Sequence, residues 1–398
     1  MRPVELIAYH VRIPLKRTIR HASHARDDTD SLIACLRLDD GTLGWGEGLP
    51  RPYVTGETID TTFTHLRQTA WGAVLGTRLA GLADAIEVAR RIEPGPIPEG
   101  KRDCFGNVVR CAVELSLLDA ACRATGQPLS TLTALVPETL GIRNTRPQVR
   151  YSGALTPTGP WRDRISAWKL RLFGLAQGKV KVGVPGFDDV ASVSLLRRIV
   201  GERFDIRIDA NEAWSIDELE SRVERLRPFG ITALEQPTPH AHVAGLARIR
   251  ERLGIPLMLD ESLCSLPDAR RAIEHGTCDL FNIRLSKCGG LIRALELAAL
   301  AHRAGLGYQL GCQVGETGIL SAAGRHFASS VGDIRYLEGS FDRFLVRERL
   351  TVEDLTFGYG GYAPALLQPG LGVTIDRAAL RRVTIREEHF PLDGRSRI

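Results

Sequence analysis

The chain of 398 residues carries 52 basic and 47 acidic side chains, a formal net charge of +5 at pH 7, with 43% hydrophobic and 25% charged residues. That length can bury a large core as two domains or as one large barrel with additions, and the composition is that of an ordinary folded, water-exposed protein. Interleaved charges without a basic block argue against nucleic-acid binding, and the absence of an apolar run long enough to cross a bilayer argues against a membrane protein.

The eight cysteines form no C-x-x-C pair, and the start "MRPVELIAYHVRIPLKRTIRH" is interrupted by charges and proline where a secretory h-region would lie. Reduced thiols and a cytoplasmic location are therefore expected, without a disulfide framework or zinc site. Along the chain, "SLIACLRLDDGTLGWGEG" places two apolar segments around the turn signal "DDG" and predicts a hairpin. "EPGPIPEG" reads as a surface loop. "NVVRCAVELSLLDAACRATG" carries Val109, Ala112, Val113, Leu117 and Ala120 at helical spacing, with Gly126 as a stop. Residues 1–135 thus form a small α+β unit.

From 136 to 345 the pattern becomes a repeating alternation. The short apolar segments "QVRYSGAL", "GKVKVG", "DIRIDAN", "ITALEQP", "IPLMLDES", "DLFNIRL", "LGYQLG" and "DIRYLEG" are separated by amphipathic stretches such as "LIRALELAALAHRAG". Eight brief strands at nearly even intervals predict an α/β fold with a parallel sheet closed into a barrel. Neither G-x-G-x-x-G after a strand nor G-x-x-x-x-G-K-[ST] occurs, so no dinucleotide or P-loop site is indicated. Residues 346–398 lose the alternation, turn Gly- and Pro-rich, and are expected to fold back on the first unit.

In such a barrel the chemistry sits where strands end. Those positions hold Lys181, Asp209, Glu235, Asp260 and Lys287, each about one βα unit from the last. Three carboxylates without imidazole or thiolate are hard oxygen ligands suited to Mg²⁺. An isolated strand-end carboxylate is more often a cap or a solvated loop residue; three in register, flanked by lysines, point instead to one site. Asn211, two residues beyond Asp209, is expected on the same face as a group supporting a ligand carboxylate. Lys179 and Lys181 lie two apart on one strand and should project together.

"KVKVG", "IRIDANEAW", "LEQP", "LDES" and "NIRLSKCGGL", in this order and spacing, resemble the enolase superfamily, specifically its muconate lactonizing enzyme branch within the mandelate racemase/muconate lactonizing enzyme family. "RCAVELSLLDAACRATGQPLSTL" is similar to the helix that ends that family's capping domain. The resemblance covers nearly the whole chain. It implies a modified TIM barrel of seven βα units plus a closing strand, capped by an α+β domain built from both termini, and a symmetric homo-oligomer. It maps the branch's K-x-K onto Lys179 and Lys181 and the opposing lysine onto Lys287. Lys181 is then the expected base, Lys179 the cation that lowers its pKa, and Lys287 the group on the other face.

The implied reaction is Mg²⁺-assisted removal of the proton α to a small-molecule carboxylate, through an enediolate. Two bases on opposite faces permit racemisation or epimerisation, and one base permits cycloisomerisation. A lyase of the dehydratase or o-succinylbenzoate synthase type is the alternative, and a non-catalytic metal-binding barrel the rival of another class. Glu316 matches a glutamate found after the seventh strand, expected to hold Lys287, to contact substrate, or to sit at a helix start. The loops "RTIRHASHARDDTD" and "LPRPYVTGET" look like the family's specificity loops, with His21, His24, Arg26 and Tyr53 as candidate substrate contacts. One departure stands out. Dipeptide epimerases of this branch carry Asp-x-Asp near the eighth strand to bind the substrate ammonium; here Tyr336 and Glu338 take those places. Arg284 and Cys312 give no clue to substrate.

Overall fold

The structure, a computed structural model, describes residues 1–20 and 25–392. β1 (Pro3–Arg20), β2 (Ala25–Leu38) and β3 (Leu43–Gly48) form an antiparallel sheet. The expected hairpin joins β2 to β3, and Gly41 at φ 87° supplies the left-handed residue that its turn needs. Gly44, Gly46 and Gly48 fall on one face of β3. A Cβ at Gly46 would lie 2.0 Å from Ala112 O, and one at Gly44 or Gly48 would be 2.2 Å from helix backbone. The bare face lets the helix Asn107–Ala124 lie directly on the strand, burying Val108 through Cys122.

Eight parallel strands follow: β5 (Gly153–Leu155), β6 (Gln177–Lys181), β7 (Asp205–Asp209), β8 (Ile231–Glu235), β9 (Leu257–Leu259), β10 (Leu280–Ile283), β11 (Gly307–Leu310) and β12 (Ile334–Leu337). They pair in sequence order, and a bond from Ser152 N–H to Leu337 O at 2.8 Å ties the first strand's start to the last. Helices or short 3₁₀ segments follow β5 to β11, giving seven βα units and a closing strand. Successive strand residues face opposite ways. Ala233, Met258, Leu280 and Tyr336 pack as an apolar floor inside the barrel, and two residues further along the chain from them stand Glu235, Asp260, Asn282 and Glu338.

β4 (Gln148–Arg150) pairs with β13 (Tyr362–Pro364), and β14 (Thr384–Pro391) pairs antiparallel with β1 at the open edge of the first sheet. Among the described residues no helix is long and apolar enough to cross a membrane. The eight cysteines are free, seven of them buried.

Two buried carboxylates lock the capping unit to the barrel. Glu114 accepts a bond from Ile292 N at 3.0 Å, at the start of helix Leu291–Arg303. Glu47, at the end of β3, accepts from Thr317 N (3.0 Å), Thr317 Oγ1 (2.7 Å) and Leu320 N (3.1 Å), at the start of helix Gly318–Ser330. Each places a carboxylate where a helix has unpaired N–H groups and a positive dipole end.

Burial nevertheless pushes Glu47 up to about 7 from 4.5, against the pull of those donors. A folded value above the unfolded one means stability that is complete below 4.5 and lost as pH rises through about 7. Melting by circular dichroism is therefore expected to fall between pH 5 and pH 8 in the wild type, and by a few degrees less in Glu47→Gln, which cannot ionise. Equal slopes in the two proteins would remove Glu47 from this account.

Candidate active site

In the barrel register Lys181 lies beside Asp209, and Asp209 beside Glu235. Asp260 follows one residue after β9. Lys287 sits on the one-turn helix Leu285–Cys288 that follows β10, four strands round from β6 and so on the opposite wall. All five expected residues reach one rim of the barrel.

Two side-chain cations thread the three carboxylates together. Lys179 Nζ is 3.2 Å from Asp209 Oδ2, 3.1 Å from Glu235 Oε1 and 3.0 Å from Glu338 Oε1. Arg284 Nη2 lies 3.6 Å from Glu235 Oε1 and pairs with Asp260 Oδ2. The chain Asp209–Lys179–Glu235–Arg284–Asp260 is a single charged cluster, buried except at Arg284, whose side chain is 12% exposed. Lys287 Nζ donates to Asp260 Oδ1 (2.8 Å), Asp260 O (2.7 Å) and Asn282 O (2.8 Å).

The local sequence explains these placements. Gly289 (φ 86°) and Gly290 (φ 118°) end the Lys287 turn in conformations that L side chains avoid. Cβ atoms there would stand 2.7 Å from Asn107 Oδ1 and 2.5 Å from the Glu114 carboxyl. The Cys-Gly-Gly of the sequence therefore lets helix Asn107–Ala124 press against the lysine's turn, and Asn107 Nδ2 bonds Lys287 O at 2.7 Å.

Electrostatics separates the three lysines. Burial opposes charge on Lys179, but Glu235, Glu338 and Asp209 outweigh it and hold the ammonium well above its usual value. Burial likewise opposes charge on Lys287, and Asp260 outweighs it, so its value rises. For Lys181 burial wins: with Lys179 adding repulsion and Asp209 opposing, its value falls below 10.5. Lys181 makes no hydrogen bond or ion pair with a described residue, which leaves its amine available. Glu235 is pushed up to about 7 by burial and by Asp209, against Lys179.

The donors suit a hard divalent cation: carboxylate oxygens only, at the ends of neighbouring strands, with Asp209 Oδ2 buried and met by the Lys179 ammonium at 3.2 Å without a hydrogen bond. With Lys179 and Arg284 between them, the described carboxylates are not drawn onto one point; an entering cation would take over the charge these two side chains now neutralise.

Several expectations change. Asn211 does not share a strand face with Asp209: at φ 43° the chain has turned, its backbone N–H bonds Asp209 Oδ1 (3.0 Å) and its amide reaches Glu261 Oε1 (3.4 Å). Glu316 does not hold Lys287. It accepts from Gln313 N at 2.6 Å, within its own turn, and burial pushes it up to about 8. Tyr53 is half-buried beneath the Arg26 guanidinium, 5.6 Å from its ring centroid, and packs with Val54, Cys104 and Cys264. His21 and His24 lie outside the described residues. Arg284, which offered no clue in the sequence, sits within the cluster between Glu235 and Asp260. Its signal was available, since Arg284 and Lys287 are three apart at a strand end, but only Lys287 fitted a motif.

Residues 165–379 match the enolase C-terminal domain-like family. The chain belongs to the enolase superfamily, in its mandelate racemase/muconate lactonizing enzyme group. The N-succinyl-L-Arg/Lys racemase of Bacillus cereus is 27% identical, covering 96% of this chain and 97% of the relative. Its crystal structure superposes with a TM-score of 0.86 over 98% of this chain and all of that one, at 25% identity. The hydrophobic dipeptide epimerase of Enterococcus faecalis is 28% identical over 82% of this chain and 87% of its own. A dipeptide epimerase from Cytophaga hutchinsonii, in complex with Mg and D-Ala-L-Val, shares the fold at a TM-score of 0.83 and 23% identity, covering 98% of this chain and 100% of that one.

Proposed function

We propose that this chain removes the proton α to the carboxylate of a small N-acylated amino acid and returns a proton to the opposite face, racemising or epimerising that carbon. The observation that carries this reading is the pair of amines, Lys181 and Lys287, on opposite walls beside one carboxylate cluster. Asp209, Glu235 and Asp260 would hold Mg²⁺, which when bound would supply Lewis-acid stabilisation of the enediolate charge. Lys181, with its depressed value, takes the proton, and Lys287, held as an ammonium, gives one from the other side. Lys179 and Arg284, freed from the metal ligands, supply positive charge for the substrate carboxylate.

The substrate class rests on β12. Tyr336 donates to or accepts from Thr232 Oγ1 at 3.0 Å, and its ring lies 4.6 Å beneath the Arg207 guanidinium. Glu338 is already neutralised by Lys179 and Arg207, which hold it well below the usual carboxylate range. Among the described residues at the end of β12 no acid is left without a cation partner to receive a substrate ammonium, and Lys179 and Arg207 would repel one. An uncharged acyl nitrogen suits this environment, and the racemase and epimerase relatives favour inversion over cycloisomerisation or elimination.

Incubating N-acylamino acids and free-amine dipeptides in D₂O with Mg²⁺ and following the α signal by NMR tests the reading. Exchange with inversion in the N-acyl series is expected; exchange in neither series would end it. Arg284→Met provides a separate check, because the lost guanidinium competes for Asp260 and Glu235. Calorimetry of the substrate-free protein is expected to show about tenfold tighter Mg²⁺ binding, and unchanged or weaker binding would show that Arg284 does not compete.

A further inference from the structure

Cys104 and Cys264 come from opposite sides of the seam between the capping unit and the barrel. Cys104 lies in the turn before helix Asn107–Ala124, and Cys264 stands beyond Asp260, just ahead of helix Leu266–His275. Both are 0% exposed. With Val54 they form a small cluster set apart from the main core, with Tyr53 packed on its side. Within it the two thiols hydrogen-bond to each other.

Polar ties hold the two backbones in this arrangement. Asn107 N–H donates to Cys104 O at 3.0 Å, and the same residue's Nδ2 donates to Cys264 O at 2.8 Å. On the other side of Cys104, Arg102 Nη1 donates to Val54 O (3.1 Å) and Glu261 O (2.9 Å), while its Nη2 lies 3.3 Å from Asp268 Oδ2. That same carboxylate oxygen accepts from Cys264 N at 3.0 Å. Arg102 and Asn107 therefore bracket Cys104 and bind it to the barrel segment that carries Cys264. A disulfide needs two sulfurs in near contact from facing backbones, and the seam supplies such a pair.

The surroundings give the two sulfurs different roles. Burial dominates at Cys35, Cys122 and Cys278 and pushes each up to about 12. At Cys264 burial also opposes charge, but the Cys104 thiol, the Lys287 ammonium and the Arg102 guanidinium outweigh it and bring the value below that of an ordinary thiol. Of the eight cysteines Cys264 alone moves in that direction. Since the thiolate is the nucleophile, Cys264 is the sulfur that attacks first. Cys104 is raised by the bond it gives to Cys264 and by burial, which suits it to the second step.

A buried free cysteine is ordinarily a small apolar side chain; two in mutual contact across a domain seam, one of them beneath two cations, have chemistry open to them. We propose that Cys104 and Cys264 are a redox pair that a peroxide converts to a disulfide, fastening the capping unit to the barrel. Cys264 Sγ attacks one peroxide oxygen: the S–O bond forms, the O–O bond breaks, and the leaving oxygen takes up a proton to depart as water. Cys104 Sγ then attacks the sulfenic sulfur: the S–S bond forms, the S–O bond breaks, and a second water leaves with the Cys104 proton. Two thiols and one peroxide give one disulfide and two waters, the sulfurs losing the two electrons that the peroxide gains. Neither substrate nor metal takes part. Local opening of the Tyr53–Val54 segment admits the oxidant, and a reversible link of this kind is the sort of disulfide that a reducing compartment permits.

Treating the reduced full chain with hydrogen peroxide, blocking it with iodoacetamide and mapping it by mass spectrometry without reduction tests the inference. The expected result is a peptide pair joined through Cys104 and Cys264, with the intact mass before blocking lower by two hydrogen atoms. The melting temperature is expected to rise by several degrees, because the long closed loop constrains the unfolded chain, and dithiothreitol should reverse both changes. Cys104→Ser should leave Cys264 as a sulfenic acid that dimedone traps, whereas Cys264→Ser should leave Cys104 unoxidised at the same dose. The wild-type map decides the question even where a variant folds poorly. Peroxide that leaves both thiols free, oxidises them only to sulfinic or sulfonic acids, or links Cys264 to Cys288 would overturn the proposal.

Discussion

Lys181→Ala and Lys287→Ala are each expected to lower racemisation by roughly 10²–10⁴-fold or more, the range associated with losing a positioned acid or base. The two variants should fail differently. With Lys287 gone, Lys181 can still take and return a proton on its own side, so one enantiomer should exchange its α hydrogen with D₂O without inverting. With Lys181 gone, exchange should survive only in the other enantiomer. Complementary exchange would establish two bases on opposite walls. Loss of exchange with both enantiomers in both variants would instead indicate that each lysine serves a single common step. Full activity in both would remove the lysines from the mechanism. Lys287 carries the greater structural risk, because its ammonium ties Asp260 to Asn282 in a dry interior and a truncated partner leaves Asp260 less well compensated. Circular dichroism melts must accompany its kinetics.

Substituting Glu235 is the second large effect. Its carboxylate is shared by Lys179, Asn282 Nδ2 (2.8 Å) and Arg284, so Glu235→Gln removes the negative charge at the middle of the cluster while keeping its shape. Mg²⁺ affinity measured by calorimetry is expected to fall by at least 10–100-fold, the loss typical of disturbing even the shell around a metal's ligands. Turnover should fall by on the order of 10³-fold, since several kcal/mol of transition-state stabilisation go with the cation. EDTA should abolish wild-type turnover and added Mg²⁺ restore it. Chelator-resistant turnover, or unchanged Mg²⁺ binding in Glu235→Gln, would separate the carboxylates from the cation. The variant should stay folded, because Gln keeps the side chain's shape and Lys179 retains Asp209 and Glu338 as partners.

Both effects arise from residues that the sequence made visible. The positions 181, 209, 235, 260 and 287 recur because each βα unit takes about the same number of residues to leave the barrel rim and return. That regularity is local, set by strand length, helix length and short turns, and it survives in one dimension. The hairpin around "DDG" and the glycine-ended helix Asn107–Ala124 were readable for the same reason: turn and cap signals act on neighbours in the chain.

What folding alone decided concerns contacts between residues far apart. Glu338 meets Lys179 across the closing strand, 159 residues away in sequence, and turns from a candidate ammonium receptor into a neutralised anion. Arg284 stands three residues before Lys287 at the same strand end, but only the packed barrel shows its guanidinium pairing with Asp260 and reaching Glu235. Asn211 reaches Asp209 through its backbone N–H because its φ of 43° turns its amide toward Glu261, and Glu316 bonds within its own turn, not to Lys287. The stripe of Trp161, Ile165, Trp168 and Leu172, on the helix Pro160–Leu172 between β5 and β6, makes the same point at the surface. Its period announces an apolar face, yet only the packed barrel, with Ala167 against the core, reveals that this face looks outward. Periodicity fixes which side chains lie together; which way they point depends on what the rest of the chain brings to meet them.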